Sequence, residues 1–304
     1  MLVLPLLSPL CSKLLIIAEI NNVYANLTLL EEAGFPAPDW DWVWNDLLEM
    51  TRRVTRDQDG DGEAETIGAT IRQYEQEIGP FIYSNGGSYM DRQAAGTEVT
   101  FDSPGTIAAL EFVRSLIHDY GVAMPRQDRE RWVSGRLAFN FTGSWNLGAY
   151  RDLVGDNFVW DYIPYPRNPT TGGRASRLSV IGISVAAGTE HLEEAVRFAL
   201  LTAQPTAQRG FLRAGLSPVP VRLDLFDTPE MQAIAAISPS AARTIQETLS
   251  QGEAVAETVY PDMRMQTIAV EAIAAILIDG ADPQIIVREA ARQMREVLAE
   301  VLGR

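Results

Sequence analysis

Residues 137–148, LAFNFTGSWNLG, indicate a strand that runs into a helix. The run 137–141 is apolar and aromatic, as expected of a buried strand. Gly143 and Ser144 then interrupt it, and the chain past Trp145 has a helical composition. Strand-to-helix steps of this kind are the repeating unit of α/β proteins.

The same alternation extends along the chain in both directions. Ser103 and Asp282 each offer a helix N-cap followed by proline, which predicts helices from 104 to about 121 and from 283 onward. Thr189 likewise predicts a helix cap, and segment 268–278 (IAVEAIAAILI) predicts an enclosed helix because it is apolar on nearly every side. Predicted strands occupy 66–71, 98–101, 137–141, 158–163 and 178–185. The fold class is therefore α/β.

Apolar stripes predict which side of two of these helices is buried. The stripe of the helix after Thr189 comprises Leu192, Ala195, Val196, Ala199 and Leu200. The stripe of the last helix comprises Ile286, Ala290, Met294, Val297 and Val301. Such stripes normally pack in a core.

Composition restricts the class of partner. The chain has 304 residues, with 25 Lys and Arg against 40 Asp and Glu, so its net charge is −15. Nucleic acid and anionic membrane surfaces are excluded as expected partners. One cysteine, Cys11, forms no intrachain disulfide, and two histidines are too few for a histidine-rich zinc site. An apolar content of 46% with 21% charged residues is typical of one large or two smaller globular domains.

Residues 1–20 are apolar but do not make a convincing signal peptide. A basic amino-terminal region is missing, and Pro5, Pro9, Lys13 and Glu19 interrupt the run. A membrane-spanning helix needs about 20 continuous apolar residues, which this stretch does not provide.

The acidic segment 57–65 contains the first half of a calcium-binding loop. Asp57, Asp59 and Asp61 occupy ligand positions 1, 3 and 5, with glycine at position 6. Glu63 and Glu65 fall at positions 7 and 9, whereas position 12 lacks the usual glutamate. Two interpretations stay open, a calcium site completed in another way and a solvated acidic turn. A strand-like run follows, so a helix–loop–helix EF-hand is not expected.

Trp145 is the leading candidate for ligand contact. Its flat ring suits stacking against the apolar C–H face of a sugar, with helix-start amides nearby, although a core or hinge-packing role is the alternative. Enzyme fingerprints are lacking, since neither Gly-x-Ser-x-Gly nor a Walker phosphate loop occurs. With 40 acidic residues a glycosidase carboxylate pair is possible, yet no pattern selects one.

From about residue 22 to the C-terminus, the chain resembles the extracellular solute-binding proteins of family 1, the sugar receptors of ABC importers. The segments that carry the resemblance follow the family's order: VYAN at 23–26, LLEEAGFP at 29–36, WVWNDL at 42–47, DQDGDG at 57–62, NGG at 85–87, VTFDSP at 99–104, AALEF at 108–112, SGRLAF at 134–139, GSW at 143–145 and FVWDYIPYP at 158–166.

The resemblance implies a two-lobe clamp of the class II periplasmic-binding-protein type, with the C-terminal lobe complete and the N-terminal lobe partial. It assigns residues 24–183 and 226–304 to the C-terminal lobe. Residues 1–23 become a remnant of the N-terminal lobe or hinge, and 184–225 belong to that lobe too. The helix at 189–203 would then lose its packing surface, or find one in residues 1–20 or a second chain.

The resemblance also implies a function. The protein is expected to be a non-enzymatic, extracytoplasmic sugar or oligosaccharide receptor that works with ABC permease subunits and needs no cofactor beyond possible Ca²⁺. A truncated fragment without binding and a glycan-processing enzyme are the alternatives. Hinge closure on the ligand is the implied mechanism. The implied ligand-binding residues are Trp145 as stacking platform with Gly143, then Gln76, Glu77, Tyr83, Asn85, Arg177 and Ser179, with a last contact in 260–264.

Overall fold

The computed structural model describes residues 14–91, 96–214 and 219–304. Cys11 lies outside these ranges, as does part of the glycine- and proline-rich segment at 215–220. The strands are β1 Leu14–Asn26, β2 Ile67–Thr70, β3 Ala123–Met124, β4 Leu137–Gly143, β5 Trp160–Ile163, β6 Ser176–Ile183 and β7 Ala254–Ala256. The helices are α1 Leu27–Glu32, α2 Trp44–Val54, α3 Glu75–Ser84, α4 Pro104–Arg114, α5 Arg129–Val133, α6 Leu147–Val154, α7 Leu192–Thr202, α8 Pro205–Arg213, α9 Pro229–Ile237, α10 Ala241–Ser250, α11 Met263–Leu277 and α12 Pro283–Leu302.

Strand β1 connects two groups of strands. From Asn21 onward it pairs antiparallel with β4 and β5, and up to Ile20 it pairs antiparallel with β6. The strand order is β3-β2-β4-β1-β6-β7, with β5 also on β1. The α/β class predicted from the sequence is therefore confirmed.

The larger core lies between the sheet and helices α2, α3, α4, α11 and α12. Two of these helices begin as the sequence predicts. The Ser103 hydroxyl accepts a hydrogen bond from the Thr106 amide, and the Asp282 carboxylate accepts from the amides of Gln284 and Ile285. These caps satisfy backbone donors that a helix N-terminus leaves without partners.

The second core lies on the opposite face of the sheet and is rich in aromatic rings. The ring of Tyr24 contacts those of Tyr150 and Tyr162, with centroids 4.8 and 4.7 Å away. The Tyr24 hydroxyl donates to the Gly143 carbonyl at 3.0 Å, and the Tyr162 hydroxyl donates to the Ile20 carbonyl at 2.6 Å. These two bonds fix the point where β1 changes partners.

Several local predictions are wrong in detail. Residues 98–101 form no strand and contribute only an isolated bridge between Met90 and Val99. The N-cap of α7 is His191, whose amide donates to the hydroxyl of Thr189. In α12 the buried face is displaced by about one residue from the predicted stripe. Ala290 and Met294 are buried as predicted, and the other buried residues of this face are Val287, Ala291 and Leu298. The acidic loop does separate a helix from a strand, as expected.

Helix α7 differs most from expectation. Its predicted apolar stripe is largely exposed, with Leu192 at 60% and Leu200 at 51%, and Ala199 is its buried residue. The end of segment 268–278 is also exposed at Ile278. In the described part of the chain, no helix is both long and apolar enough to cross a membrane.

Candidate functional site

The candidate site lies on one face of the sheet where β1 changes partners. Asn21 lies opposite Gly143 of β4, and Glu19 lies opposite Ser179 of β6. Paired residues, and residues two apart on one strand, share a face. The intervening residues Ile20 and Leu178 pack into the aromatic-rich core. The opposite face therefore carries the polar side chains, and we call this set the crossover face: Asn21, Glu19, Ser179 and Arg177, with Gly143 at its edge.

Trp145 borders the crossover face because Gly143 has no side chain. A β-carbon on Gly143 would lie 1.7 Å from Cζ3 of the indole, so the ring occupies the space that a side chain would fill. Trp145 is half-buried, and none of the described aromatic rings stacks on it. The Ile20 amide donates to the Ser144 hydroxyl at 3.3 Å, which attaches this turn to β1. An indole with one face supported and part of its surface open suits stacking on a ligand.

Asn21 supplies unused hydrogen-bonding groups beside the indole. It is fully buried, and neither its amide oxygen nor its amide nitrogen has a partner among the described residues. The side-chain oxygen of its neighbour Asn22 accepts a hydrogen bond from the Ser176 hydroxyl at 2.7 Å, whereas the side-chain nitrogen of Asn22 also has no partner among the described residues. A buried polar group without a partner is costly. Ordered water or a ligand is the usual partner of such a group.

Arg177 forms the other end of the crossover face. It is buried, and its Nη2 lies 2.5 Å from Oε1 of Glu257, just past β7. Its Nε has no partner within the part of the chain that the structure describes. Burial raises the pKa of the Glu19 carboxyl group, and the positive charge of Arg177 counteracts part of that rise. Ser179, between them, is half-buried.

Tyr83 is held within the protein. Its hydroxyl donates to Oε1 of Glu75 at 2.5 Å, and Thr258 donates to the same oxygen through its amide at 2.9 Å and its hydroxyl at 2.7 Å. Burial raises the pKa of Tyr83 well above its usual value, and the charge of Glu75 adds to the rise. Oε2 of Glu75 and the hydroxyl of Tyr89 have no partner among the described residues. This cluster adjoins Arg177, whose charge acts on Tyr89.

Glu77 is likewise engaged within the protein. Arg72 donates to it through Nε at 2.7 Å and through its amide at 2.6 Å. Burial raises the pKa of Glu77, and the hydrogen bonds from Arg72 offset part of that rise. Gln76 is half-buried, and its side chain has no hydrogen bond to another described residue.

Asn85 stabilises the turn after α3. Its side-chain nitrogen donates to the Gly105 carbonyl at 2.8 Å, and its side-chain oxygen accepts from Asn168 at 2.8 Å. In the segment 260–264, the ring of Tyr260 lies 6.4 Å from that of Tyr89, whereas Arg264 pairs with Glu300 of α12 at the surface.

Of the eight predicted ligand residues, four lie on or beside the crossover face: Gly143, Trp145, Arg177 and Ser179. The sequence analysis missed Glu19, Asn21 and Glu257. A signal for the first two was present, since polar residues at positions 19, 21 and 22 interrupt an otherwise apolar run. Glu257 carries no local signal, because the pairing of β6 with β7 brings it to the site.

The acidic loop has the donor set that calcium prefers. Asp57, Asp59 and Asp61 each place a carboxylate oxygen within 4.8 Å of the others. The Asp57 carboxylate also accepts from the amides of Gly60 at 2.7 Å and Gly62 at 2.9 Å, which curls the loop around it. Oxygen ligands on a flexible loop fit Ca²⁺. The three aspartates therefore fit Ca²⁺, and calcium binding by this loop stays a prediction.

The two predicted glutamates of this loop differ in their surroundings. Oε2 of Glu65 accepts from the Gln58 amide at 2.6 Å, so this carboxylate closes the loop rather than joining the three aspartates. Glu63 is exposed and borders a groove of about 610 Å³ that also involves Met124 and Ile278. A smaller cavity of about 220 Å³ lies between α6, α8 and α9. Trp145 lines neither of these two hollows.

The chain has the fold of ABC transporter substrate-binding proteins. No protein-family model matches it. It is similar to a substrate-binding protein from Listeria monocytogenes in complex with cycloalternan, with 19% identity, a TM-score of 0.82, and coverage of 94% of this chain and 71% of that chain. A solute-binding protein from Thermotoga lettingae bound with α-D-tagatose gives 18% identity, a TM-score of 0.79, and coverage of 94% and 72%.

A third similar structure binds a ligand that is not a sugar. UgpB from Mycobacterium tuberculosis, in complex with glycerophosphocholine, gives 19% identity, a TM-score of 0.77, and coverage of 94% of this chain and 70% of that chain. At these identities the likeness establishes the fold. The chain thus has the two-lobe periplasmic-binding-protein fold, of which it spans part.

Proposed function

We propose that this protein binds a sugar or oligosaccharide as the solute-binding component of an ABC transporter outside the cytoplasm. The observation that carries the proposal is the partly exposed indole of Trp145, supported on Gly143 beside the crossover face. The proteins of similar fold that bind cycloalternan and α-D-tagatose support a carbohydrate ligand.

The chemistry of the crossover face suits a sugar. A pyranose ring presents apolar C–H groups on its faces and hydroxyl groups around its edge. The indole of Trp145 offers a surface for the former. The amide of Asn21 and Nε of Arg177 offer partners for the latter, and pairing them removes the cost of leaving them unsatisfied.

We further propose that binding is coupled to closure of two lobes. Strands β1 and β6 pair along residues 14–20 and 178–183, and from Asn21 onward β1 pairs with β4, whose last residue, Gly143, supports Trp145. Residues 24–183 and 226–304 would form one lobe, and 184–225 would belong to the other. A ligand that contacts both lobes favours the closed state by its differential affinity, which permease subunits would then recognise. No catalytic step is required of the protein.

Calorimetric titration with maltose, trehalose, lactose, xylobiose and glycerol phosphate tests the proposal, together with analysis of the ligands after incubation. We expect saturable binding of at least one sugar without product, and loss of that binding in Trp145→Ala. Tyr120→Ala is the matched control, since this ring is exposed and contacts Arg52 of α2 rather than a residue of the crossover face. Product formation would indicate a glycan-processing enzyme. The absence of binding across the panel would indicate a fragment that does not bind sugars.

A further inference from the structure

Charged side chains are concentrated at the Arg177 end of the crossover face. The guanidinium of Arg177 is paired with the carboxylate of Glu257 at 2.5 Å. Glu19 lies opposite Ser179, two residues along β6 from Arg177, and its charge interacts with that guanidinium. Two carboxylates therefore face one guanidinium, so this group carries one net negative charge when all three are ionised.

The surrounding charges do not reverse this sign. Glu75 adds a further carboxylate near Tyr89 and Tyr260, on which its charge acts. The nearby guanidinium of Arg72 is neutralised by Glu77. At the whole-protein level the net charge is −15. In a partly buried site each of these interactions is stronger than in bulk water.

We propose that the site selects uncharged ligands against anionic ones, and that Glu257 is the residue that sets this preference by occupying Arg177. The inference rests on the proposed sugar-binding function and specifies its ligand class. An acidic sugar or a sugar phosphate would meet a guanidinium that already has a carboxylate partner. It would also lie beside the second carboxylate of Glu19, and like charges brought together across a binding surface are unfavourable.

The geometry explains why the preference for neutral ligands depends on Glu257 and not on Arg177 alone. Arg177 is fixed by burial and keeps Nε free, whereas the side chain of Glu257 is 45% exposed. Removing the charge of Glu257 would leave the guanidinium of Arg177 without its paired carboxylate, and a guanidinium without an anionic partner binds carboxylate and phosphate groups through charge-assisted hydrogen bonds. The same arginine would then favour an anion.

The test is competitive calorimetry with matched pairs of ligands, such as lactose with lactobionate and glucose with glucuronate. We expect the wild-type protein to bind the neutral member at least about tenfold more tightly. Glu257→Gln should reduce or reverse that ratio by a similar factor, and Glu19→Gln should shift it the same way. The control is Glu193→Gln, which removes one negative charge from an exposed pair on α7 and should leave the ratio unchanged.

The outcomes separate the inference from the function on which it rests. Equal binding of both members by the wild-type protein would overturn the charge preference and leave sugar binding intact. An unchanged ratio in folded Glu257→Gln would show that Glu257 does not set it. Failure of the wild-type protein to bind any neutral or anionic member would overturn the proposed function and the charge preference together.

Discussion

The indole of Trp145 occupies the space in which a side chain on Gly143 would lie. A β-carbon at position 143 would approach ring carbons Cζ3, Cε3 and Cη2 to between 1.7 and 2.2 Å. Non-bonded carbon atoms approach no closer than about 3.5 Å without strain. Gly143 therefore decides where the indole lies relative to Asn21, the residue of β1 that pairs with Gly143.

Gly143→Ala should displace the indole and weaken sugar binding about as much as Trp145→Ala. We expect a loss of stability of about 1–3 kcal/mol, as for other overpacked sites. Titration calorimetry and urea unfolding measure the two effects. Gly188→Ala is the matched control, because a β-carbon there would have no atom within 4 Å. Unchanged affinity in Gly143→Ala would contradict the role given to this contact.

Glu19→Gln should make the protein more stable at neutral pH. Burial raises the pKa of Glu19 above its ordinary value of 4.5, so the folded protein holds this proton more tightly than the unfolded chain does. The stabilising contribution is complete below pH 4.5 and is lost as the pH rises through the raised pKa.

The measurement is the free energy of unfolding in urea at several values between pH 4 and pH 7. We expect the wild-type protein and Glu19→Gln to be similar at pH 4, with the variant more stable at pH 7. Glu193→Gln, in an exposed pair, is the control for the loss of one negative charge at the surface. A constant difference across the range would show that the Glu19 carboxyl is not destabilised by burial.

Tyr162→Phe should lower the free energy of unfolding, because the Tyr162 hydroxyl holds β1 at the residue where this strand changes partners. The hydroxyl donates to the Ile20 carbonyl at 2.6 Å, and the ring is fully buried. Its removal leaves a buried acceptor without its partner, which costs about 1–3 kcal/mol. Tyr120→Phe, at an exposed ring, should change the free energy of unfolding by less than about 0.5 kcal/mol. A loss no larger than that of the control would show that the hydroxyl bond does not support the strand.

The acidic loop should bind calcium weakly, with a dissociation constant of about 10⁻⁴–10⁻³ M, because the bidentate glutamate at position 12 is replaced by Gly68. Calorimetry with millimolar calcium measures this. Asp57→Asn should abolish the heat of binding, whereas Asp156→Asn, an exposed aspartate elsewhere, should not. No heat from the wild-type protein would identify the loop as a solvated acidic turn.

Local sequence signals located two of the three predicted helix caps, at Ser103 and Asp282, but not the strand that organises the candidate site. Ser103 and Asp282 define their helices through bonds to amides two or three residues away, so the pattern is contained in a few positions. Strand β1 depends instead on partners more than 100 residues away in β4 and β6. Its polar residues become interpretable only when those partners are known, because pairing decides which side chains share a face.

Helix α3 was missed for a different reason. It contains Gly79 and Pro80, both of which disfavour a helix in local propensity. Tertiary burial of Ile78, Phe81 and Ile82 stabilises it nonetheless. Glu257 could not be predicted at all, since its ion pair with Arg177 follows from the parallel pairing of β6 with β7.

Phe198→Asp should reduce association of the chain without reducing its stability. Phe198 of α7 is 61% exposed, as is Leu201, and Ile181 of β6 is 44% exposed. Exposed apolar residues concentrated on one helix favour association of molecules in solution. Because Phe198 has little buried contact to lose, the free energy of unfolding should change by less than about 0.5 kcal/mol.

Sedimentation velocity over a range of concentrations, with fluorescence of a dye that binds apolar surface, measures this effect. We expect Phe198→Asp to lower both association and dye fluorescence, and Arg197→Asp, on the same helix, to change dye fluorescence little, because Arg197 is a polar surface residue paired with Glu193. A loss of several kcal/mol in Phe198→Asp would show instead that the ring is packed in solution, and that α7 is covered by another part of the protein.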